Sequence, residues 1–398
     1  GRFAAAAGAG ANGGPPVLQL KPSPPASGSA PCVDYDLHGI VGVRLVGATP
    51  HDRAAVTRQL GPIEAPLARE PDIVIRFVTR LETGPRLWYL GVHDAAFTED
   101  AFLILRSRRK TACRVQIPFD QIGGPCEIVC ESGLSAVPLL IPIINLTALG
   151  KGVVPVHAAA FTFRGTGTLV TGWSKGGKTE TLLAFVARGA EYIGDEWIYL
   201  HAAADRMCGI PEPVTIWDWH LREMPSLRRV VDRRQRARLA ALRATIRLIS
   251  STQGLLSNRG RDGVMHRLVP ALQRQLFVHV PPERAFGIRR VPAAGVPRQL
   301  LFVASHAASE IEVRPASAQR IARRMVCSLQ EERQPLLSFY TKYRFAFPTR
   351  INESLEQAES VERDLLLRAW EGLEAHEVYH PYPVAIPRLF DAVEPLFR

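Results

Sequence analysis

Between Gly172 and Thr179 the chain reads G-W-S-K-G-G-K-T, which fits the spacing G-x-x-x-x-G-K-[ST]. No other stretch restricts the fold so tightly. Glycines at these positions let the backbone curl until successive N–H groups point at one place, and a helix starting there adds the positive end of its dipole. Gly172, Ser174, Lys175, Gly176, Gly177, Lys178, Thr179 and Glu180 are the expected nucleotide-cradling set. Within it Lys178 neutralises β- and γ-phosphate charge and the Thr179 hydroxyl ligates Mg²⁺. Such a loop works only if a strand enters it and a helix leaves it. The flanks meet that demand: "GTLVTG" reads as a buried strand, and "GKTETLLAFVARG" reads as a helix closing on Gly189. Lys175 adds a second positive charge inside the loop, either as a further phosphate contact or as a solvent-facing lysine.

The next segment, "AEYIGDEWIYL", reads as the following strand and carries Asp195 and Glu196. Asp195 follows Thr179 by sixteen positions, just enough for a helix and a return to the neighbouring strand. Two carboxylates beside a magnesium nucleotide suggest divided labour, one accepting a proton from a hydroxyl nucleophile and the other helping to hold the metal. The alternative is a surface acidic pair at a turn.

The 398 residues allow two domains. Residues 1–31 are Ala, Gly, Pro and Ser with few large apolar groups, so a disordered leader is expected there. Residues 32–150 carry short β-branched and aromatic runs such as "GIVGVRLVG", "DIVIRFVTRL" and "CEIVCES", with one helix at "HDRAAVTRQL", and read as a β-rich N-terminal domain. From 151 to 398 the pattern becomes strand, glycine turn, helix and strand, that of an α/β domain with further strands at "RQLFVHV" and "RQLLFVASH". Two helices, 316–334 and 354–376, are expected to close the chain. The apolar run Ala136–Gly150 holds two prolines and is shorter than a membrane span, so it is expected to be buried between the domains.

Net charge is +11, and much of the excess lies in Leu221–Ser250, expected to be an amphipathic helix with an arginine-rich outer face. That face is either solvated or a dock for an acidic substrate. No aromatic residues interleave its arginines, which weighs against single-stranded nucleic acid. Six cysteines without a repeated spacing read as reduced thiols of a cytoplasmic protein. No segment reads as a membrane span, and a homo-oligomer is left open.

Three segments together resemble the HPr kinase/phosphorylase family and its relatives in the phosphoenolpyruvate-carboxykinase-like P-loop fold. They are "VHAAAF", "GWSKGGKTET" and "LLAFVARGAEYIGDE", within Val156–Leu200, about one eighth of the chain. The resemblance implies an α/β P-loop kinase domain and transfer of phosphate from ATP with Mg²⁺ to a serine hydroxyl. Carried over by position, Asp195 is the base, Glu196 the metal ligand with Thr179, and Lys178 keeps its P-loop role. His157 matches a histidine near the substrate phosphate, or is a packed structural histidine. Lys175 stands where the family has glycine, Glu196 where it has a second Asp, and the glycine-rich signature after the acids is missing. The resemblance therefore implies a divergent kinase of a peptide, protein or small hydroxyl compound. An ATPase or GTPase coupling hydrolysis to motion is the rival of another kind.

Overall fold

The computed structural model describes residues 32–83, 86–91, 93–106, 112–203, 205–256, 262–287 and 294–397, so the expected leader lies outside the described residues. In the first third, alternating apolar residues build strands with one buried side, as in Ile73–Val78, where every second residue is buried. The elements are β1 (Val33–Leu37), β2 (Val41–Val46), α1 (Pro50–Leu60), β3 (Ile73–Val78), β4 (Trp88–Leu90), β5 (Ala95–Phe97), β6 (Phe102–Arg106), β7 (Ala112–Gln116) and β8 (Cys126–Glu131). They form one sheet in the order β1-β2-β3-β8-β7-β6-β5-β4. Pairs β2–β3 and β3–β8 are parallel, β2 and β3 being joined through α1, whose start is fixed by a reciprocal Thr49–Asp52 capping box. The apolar run that follows becomes α2 (Leu140–Gly150), with Leu140, Ile143, Ile144 and Leu146 among its buried side chains.

The chain then builds β9 (Val153–Phe163), β10 (Thr166–Thr171), α3 (Lys178–Val186), β11 (Glu191–Gly194), β12 (Trp197–His201), β13 (Met207–Gly209), β14 (Val214–Trp217), α4 (His220–Glu223), α5 (Arg233–Leu256), α6 (Asp262–Gln273), β15 (Phe277–Val280) and α7 (Pro282–Phe286). It ends with β16 (Ala294–Gly295), β17 (Pro297–His306), β18 (Glu312–Pro315), α8 (Ala318–Ala346), α9 (Glu353–Ala369), β19 (Glu374–Pro381) and α10 (Ile386–Val393). The second sheet has the order β16-β13-β12-β9-β10-β17-β19-β18, with β11 also on β9, while β14 and β15 form a separate ribbon. The fold is mixed α/β, and both sheets are mixed rather than all parallel.

Four sequence expectations need correcting. The strand after α3 does not neighbour the strand before it, because β9 lies between them and pairs antiparallel with both β10 and β11. "AEYIGDEWIYL" is not one strand: the Asp195-Glu196 pair interrupts it, and Glu196 takes a left-handed φ of 71°. The basic helix starts at Arg233, since Pro225 ends α4 and opens a short 3₁₀ turn at Pro225–Arg229. Finally, α8 runs through Pro335 to Ala346, and the second late helix stops at Ala369, leaving His376 on β19 and α10 to follow.

One apolar core joins the first sheet to α8 and α9: Phe102, Phe119 and Tyr343 pack ring against ring, with centroids 5.1–5.9 Å apart. Asn352 ties the same parts by polar means. It is 3% exposed, its Oδ1 accepts from Leu355 N to cap α9, and its Nδ2 donates to Phe119 O and Ile122 O at 2.9 and 2.7 Å. Asn352→Ala removes the cap and orphans two buried carbonyls, so it should cost about 2–4 kcal/mol in urea unfolding. Asn352→Asp, which keeps the capping oxygen and loses the donor, should also destabilise; if both unfold like the parent, the tie carries no stability.

Candidate functional site

Strand β10 delivers the chain to the 172–179 loop, and packing there admits no side chain at two points. Gly172, at φ 153°, lies against the backbone oxygen of Val303 on β17, and Gly177, at φ 108°, lies against the ring of His380 on β19. His380 is fully buried, and its Nε2 stands 3.0 Å from Gly176 O, so β19 fixes the back of the loop. The tip, Trp173 to Lys175, is exposed, and Lys175 adopts a left-handed φ of 64°. Helix α3 begins at Lys178 with no side chain capping it, leaving its first N–H groups turned toward the loop.

Lys178 is only 6% exposed, and its Nζ donates to Gly172 O and Trp173 O at 3.2 and 3.1 Å. Burial pulls its pKa below the usual value, against the opposing charges of Glu196, Asp195, Glu332 and Glu180. The Thr179 hydroxyl donates to the two Asp195 carboxylate oxygens, 3.2 and 3.0 Å away. Asp195 is 2% exposed; burial, then the neighbouring Glu196 charge, lifts its pKa to about 7. Glu196 turns the other way. Its Oε2 lies 3.0 Å from Nε2 of His157, and its side chain stays 45% exposed. Burial raises its pKa, but the His157 hydrogen bond and the charges of His157 and Lys178 outweigh this and hold it below the usual range.

His157, on β9, is 5% exposed and sits between two carboxylates, with Nδ1 2.9 Å from Oε1 of Glu332 on α8. Burial lowers its pKa, yet the contacts with Glu196 and Glu332 prevail and raise it, favouring the imidazolium. Glu180 is not a free cradle group, because its buried carboxylate is held by His220 Nε2 at 3.0 Å. His157, Ser174, Lys178, Thr179, Asp195 and Glu196 nevertheless share one cavity of about 210 Å³, which Trp217 and Tyr382 also line.

The structure thus places Ser174, Lys175, Gly177, Lys178, Thr179, Glu180, Asp195 and Glu196 around one cavity, with Gly172 and Gly176 in the loop but outside its lining, and adds others that sequence reasoning missed. Glu332 comes from a helix far along the chain, and nothing local distinguishes it from the neighbouring Glu331 in "LQEERQ". His220 and His380 carry no sequence signal either. Near the acids, Glu212 keeps a buried oxygen without a hydrogen-bond partner, and burial, followed by the charges of Glu196 and Asp195, pushes its pKa well up. The Arg-rich helix is partly structural: Arg238 donates to Gln275 O and Phe277 O, and Arg243 lies 3.4 Å from buried Asp218, while Arg233, Arg234 and Arg236 are exposed. Among the described residues no group of three or more His, Cys, Asp or Glu is arranged to hold a metal ion by itself, and no helix is long and apolar enough to cross a membrane.

Asp195's raised pKa has a cost that depends on pH. An acid easier to protonate in the folded state than in the unfolded chain stabilises fully below about pH 4, and that contribution is lost as pH rises to about 7. Asp195→Asn should therefore stabilise the ligand-free protein by roughly 2–4 kcal/mol at about pH 8, with the gain vanishing near about pH 4. A gain that does not change with pH in thermal unfolding would contradict this.

No protein-family model matches the chain and no curated protein matches it in sequence, so what this site does follows from its own geometry.

Proposed function

We propose that the protein is a P-loop phosphotransferase that moves the terminal phosphoryl group of ATP, carried with Mg²⁺, to a hydroxyl group, serine-like in a peptide or protein or belonging to a small molecule. The observation that carries this reading is the convergence, in one cavity, of the uncapped start of α3, Lys178, the Thr179–Asp195 contact and the Glu196–His157–Glu332 chain. Phosphoryl transfer asks mostly for positioning and charge stabilisation, and such a set supplies both. The resemblance of Val156–Leu200 to HPr kinase-like enzymes supports the same reading.

The donor set suits Mg²⁺: Thr179 Oγ1 and the Asp195 and Glu196 carboxylates are hard oxygen ligands, and this ion is commonly held by one or two carboxylates plus substrate phosphates. When bound, Mg²⁺ supplies neutralisation of the β- and γ-phosphate charge. Lys178 turns from the Gly172 and Trp173 carbonyls to the phosphates. Asp195, with a pKa near the working pH, accepts the hydroxyl proton of the acceptor. The His157 imidazolium, braced by Glu332, orients Glu196 and adds positive charge beside it.

A second assignment within this reading is favoured by one distance. Thr179 Oγ1 lies 3.0 Å from Asp195, so Asp195 stands beside a metal-ligating hydroxyl, and the more exposed Glu196 would then take the proton. Magnesium titration separates the two. With Asp195 as base, Asp195→Asn should lower kcat by about 10²–10⁴ with nucleotide affinity almost unmoved and no rescue by extra Mg²⁺. Glu196→Gln should raise the Mg²⁺ requirement and regain rate as Mg²⁺ is added. The reverse pattern exchanges the roles, and identical responses make the pair a shared metal site.

Lys178→Ala should abolish transfer and weaken ATP binding, because the main cation facing the phosphates is gone. Near-parental turnover would sink the phosphotransfer reading. A screen of peptides and small alcohols with labelled ATP identifies the acceptor, and rapid hydrolysis without any acceptor would point to an ATPase.

A further inference from the structure

Beside the cavity of the loop and the acids lies a second recess of about 320 Å³, and Trp217 and Tyr382 belong to the walls of both. The position of this recess in the sheet is informative. Asp195 and Glu196 lie between β11 and β12, which pair with β9 on one side of β10, whereas Tyr382 directly follows β19, two strands away on the other side. The 172–179 loop stands between them. A polyphosphate crossing Lys178 with its terminal group at the acids therefore sends its other end toward Tyr382 and the recess.

Trp217, Trp219 and Tyr382 give the recess aromatic walls, with Arg222 and Arg274 also among its lining. The rings of Trp219 and Tyr382 meet at 84° with centroids 6.0 Å apart, which offers a face and an adjoining edge. Tyr382 is 52% exposed and stands edge-on to Trp219 across the recess wall. Among the lining residues the exposed Gln273 amide offers a donor and an acceptor, the kind of group that reads the edge of a purine, whereas buried Asp218 already faces Arg243. Trp219 also stacks edge-on against His220, 4.2 Å away, and His220 holds Glu180 on α3, so the recess wall is tied to the loop helix.

We infer that this recess binds the purine ring of the nucleoside triphosphate, stacked on the exposed face of Tyr382 with its edge toward Trp219 and the Gln273 amide at its polar side. The inference rests on the phosphotransfer reading above and assigns its nucleobase subsite.

Calorimetric titration of the full chain with magnesium ATP and, separately, magnesium tripolyphosphate tests it, because the second ligand engages the loop and has no base. Tyr382→Ala should weaken ATP roughly ten-fold, the loss of one base–aromatic stack, Trp219→Leu should weaken it by the smaller loss of an edge contact, and both should leave tripolyphosphate unchanged. Tyr382→Phe, which keeps the ring, should bind ATP like the parent. Unchanged ATP affinity in both truncated variants overturns the assignment and, with a raised acceptor KM, gives the recess to the acceptor. Equal losses for ATP and tripolyphosphate also overturn it, since the rings would then act by supporting the loop through His220. A parent protein that binds neither ligand, or a Lys178→Ala variant that binds both as the parent does, rejects the phosphotransfer reading itself.

Discussion

A lysine ammonium that is 6% exposed is the constraint around which this site is organised. A cation removed from water must be repaid by carbonyls or carboxylates held within reach, or it loses its proton. Gly172 O and Trp173 O provide the near contacts, and Glu196, Asp195 and Glu332 the surrounding negative charge. These partners arrive on three elements: the loop after β10, the bend between β11 and β12, and the middle of α8. The loop can lie close enough only because Gly172 and Gly177 let β17 and β19 pack directly against its backbone.

Around Lys178, the environment drives neighbouring groups apart in acidity. Asp195 is raised by burial and by Glu196, while Glu196 and Glu332 are both held low by His157, which is itself raised by them. Separation of this kind lets adjacent carboxylates take different roles at one pH, one accepting a proton and another remaining charged. The groups interact strongly enough to titrate together, so a pH–rate profile would report the cluster rather than single residues. Glu196 is also the residue whose backbone is forced into the left-handed region, and the bend created there turns the two acids in opposite directions, one toward Thr179 and one toward His157.

The sequence made the loop, its flanking strand and helix, and the acidic pair legible because each is a local pattern: glycine spacing, an apolar run, a 3.6-residue period. It misread what depends on distant chain. β9 lies between β10 and β11 because it precedes the loop and pairs with both, a choice made by the sheet and invisible in the helix length. The sequence pattern carries the first late helix only to 334, yet α8 carries its buried face past Pro335, with Leu336, Tyr340 and Tyr343 still in the core, and that packing outweighs one lost backbone bond. Glu332, His220, His380 and Tyr382 were missed for one reason. Their partners in the site are 40 to 204 positions away, and no composition or period records such contacts.

The charge of the molecule and that of the cavity have opposite tendencies. The chain carries +11 overall, a field that draws polyanions in, whereas the innermost wall presents Asp195, Glu196 and Glu332 against Lys178 and His157. A bare polyphosphate gains from the first and is repelled by part of the second. The conflict disappears if the anion arrives with a divalent cation, because the same carboxylates then face positive charge and Asp195 sheds its proton readily. A metal complex would, on the proposed function, favour the charged form of Asp195, whose pKa burial and Glu196 lift to about 7, and Lys178 would exchange the loop carbonyls for phosphate oxygens. On the proposed function, the acid-lined wall is what makes the site select the metal complex of the nucleotide over the nucleotide alone.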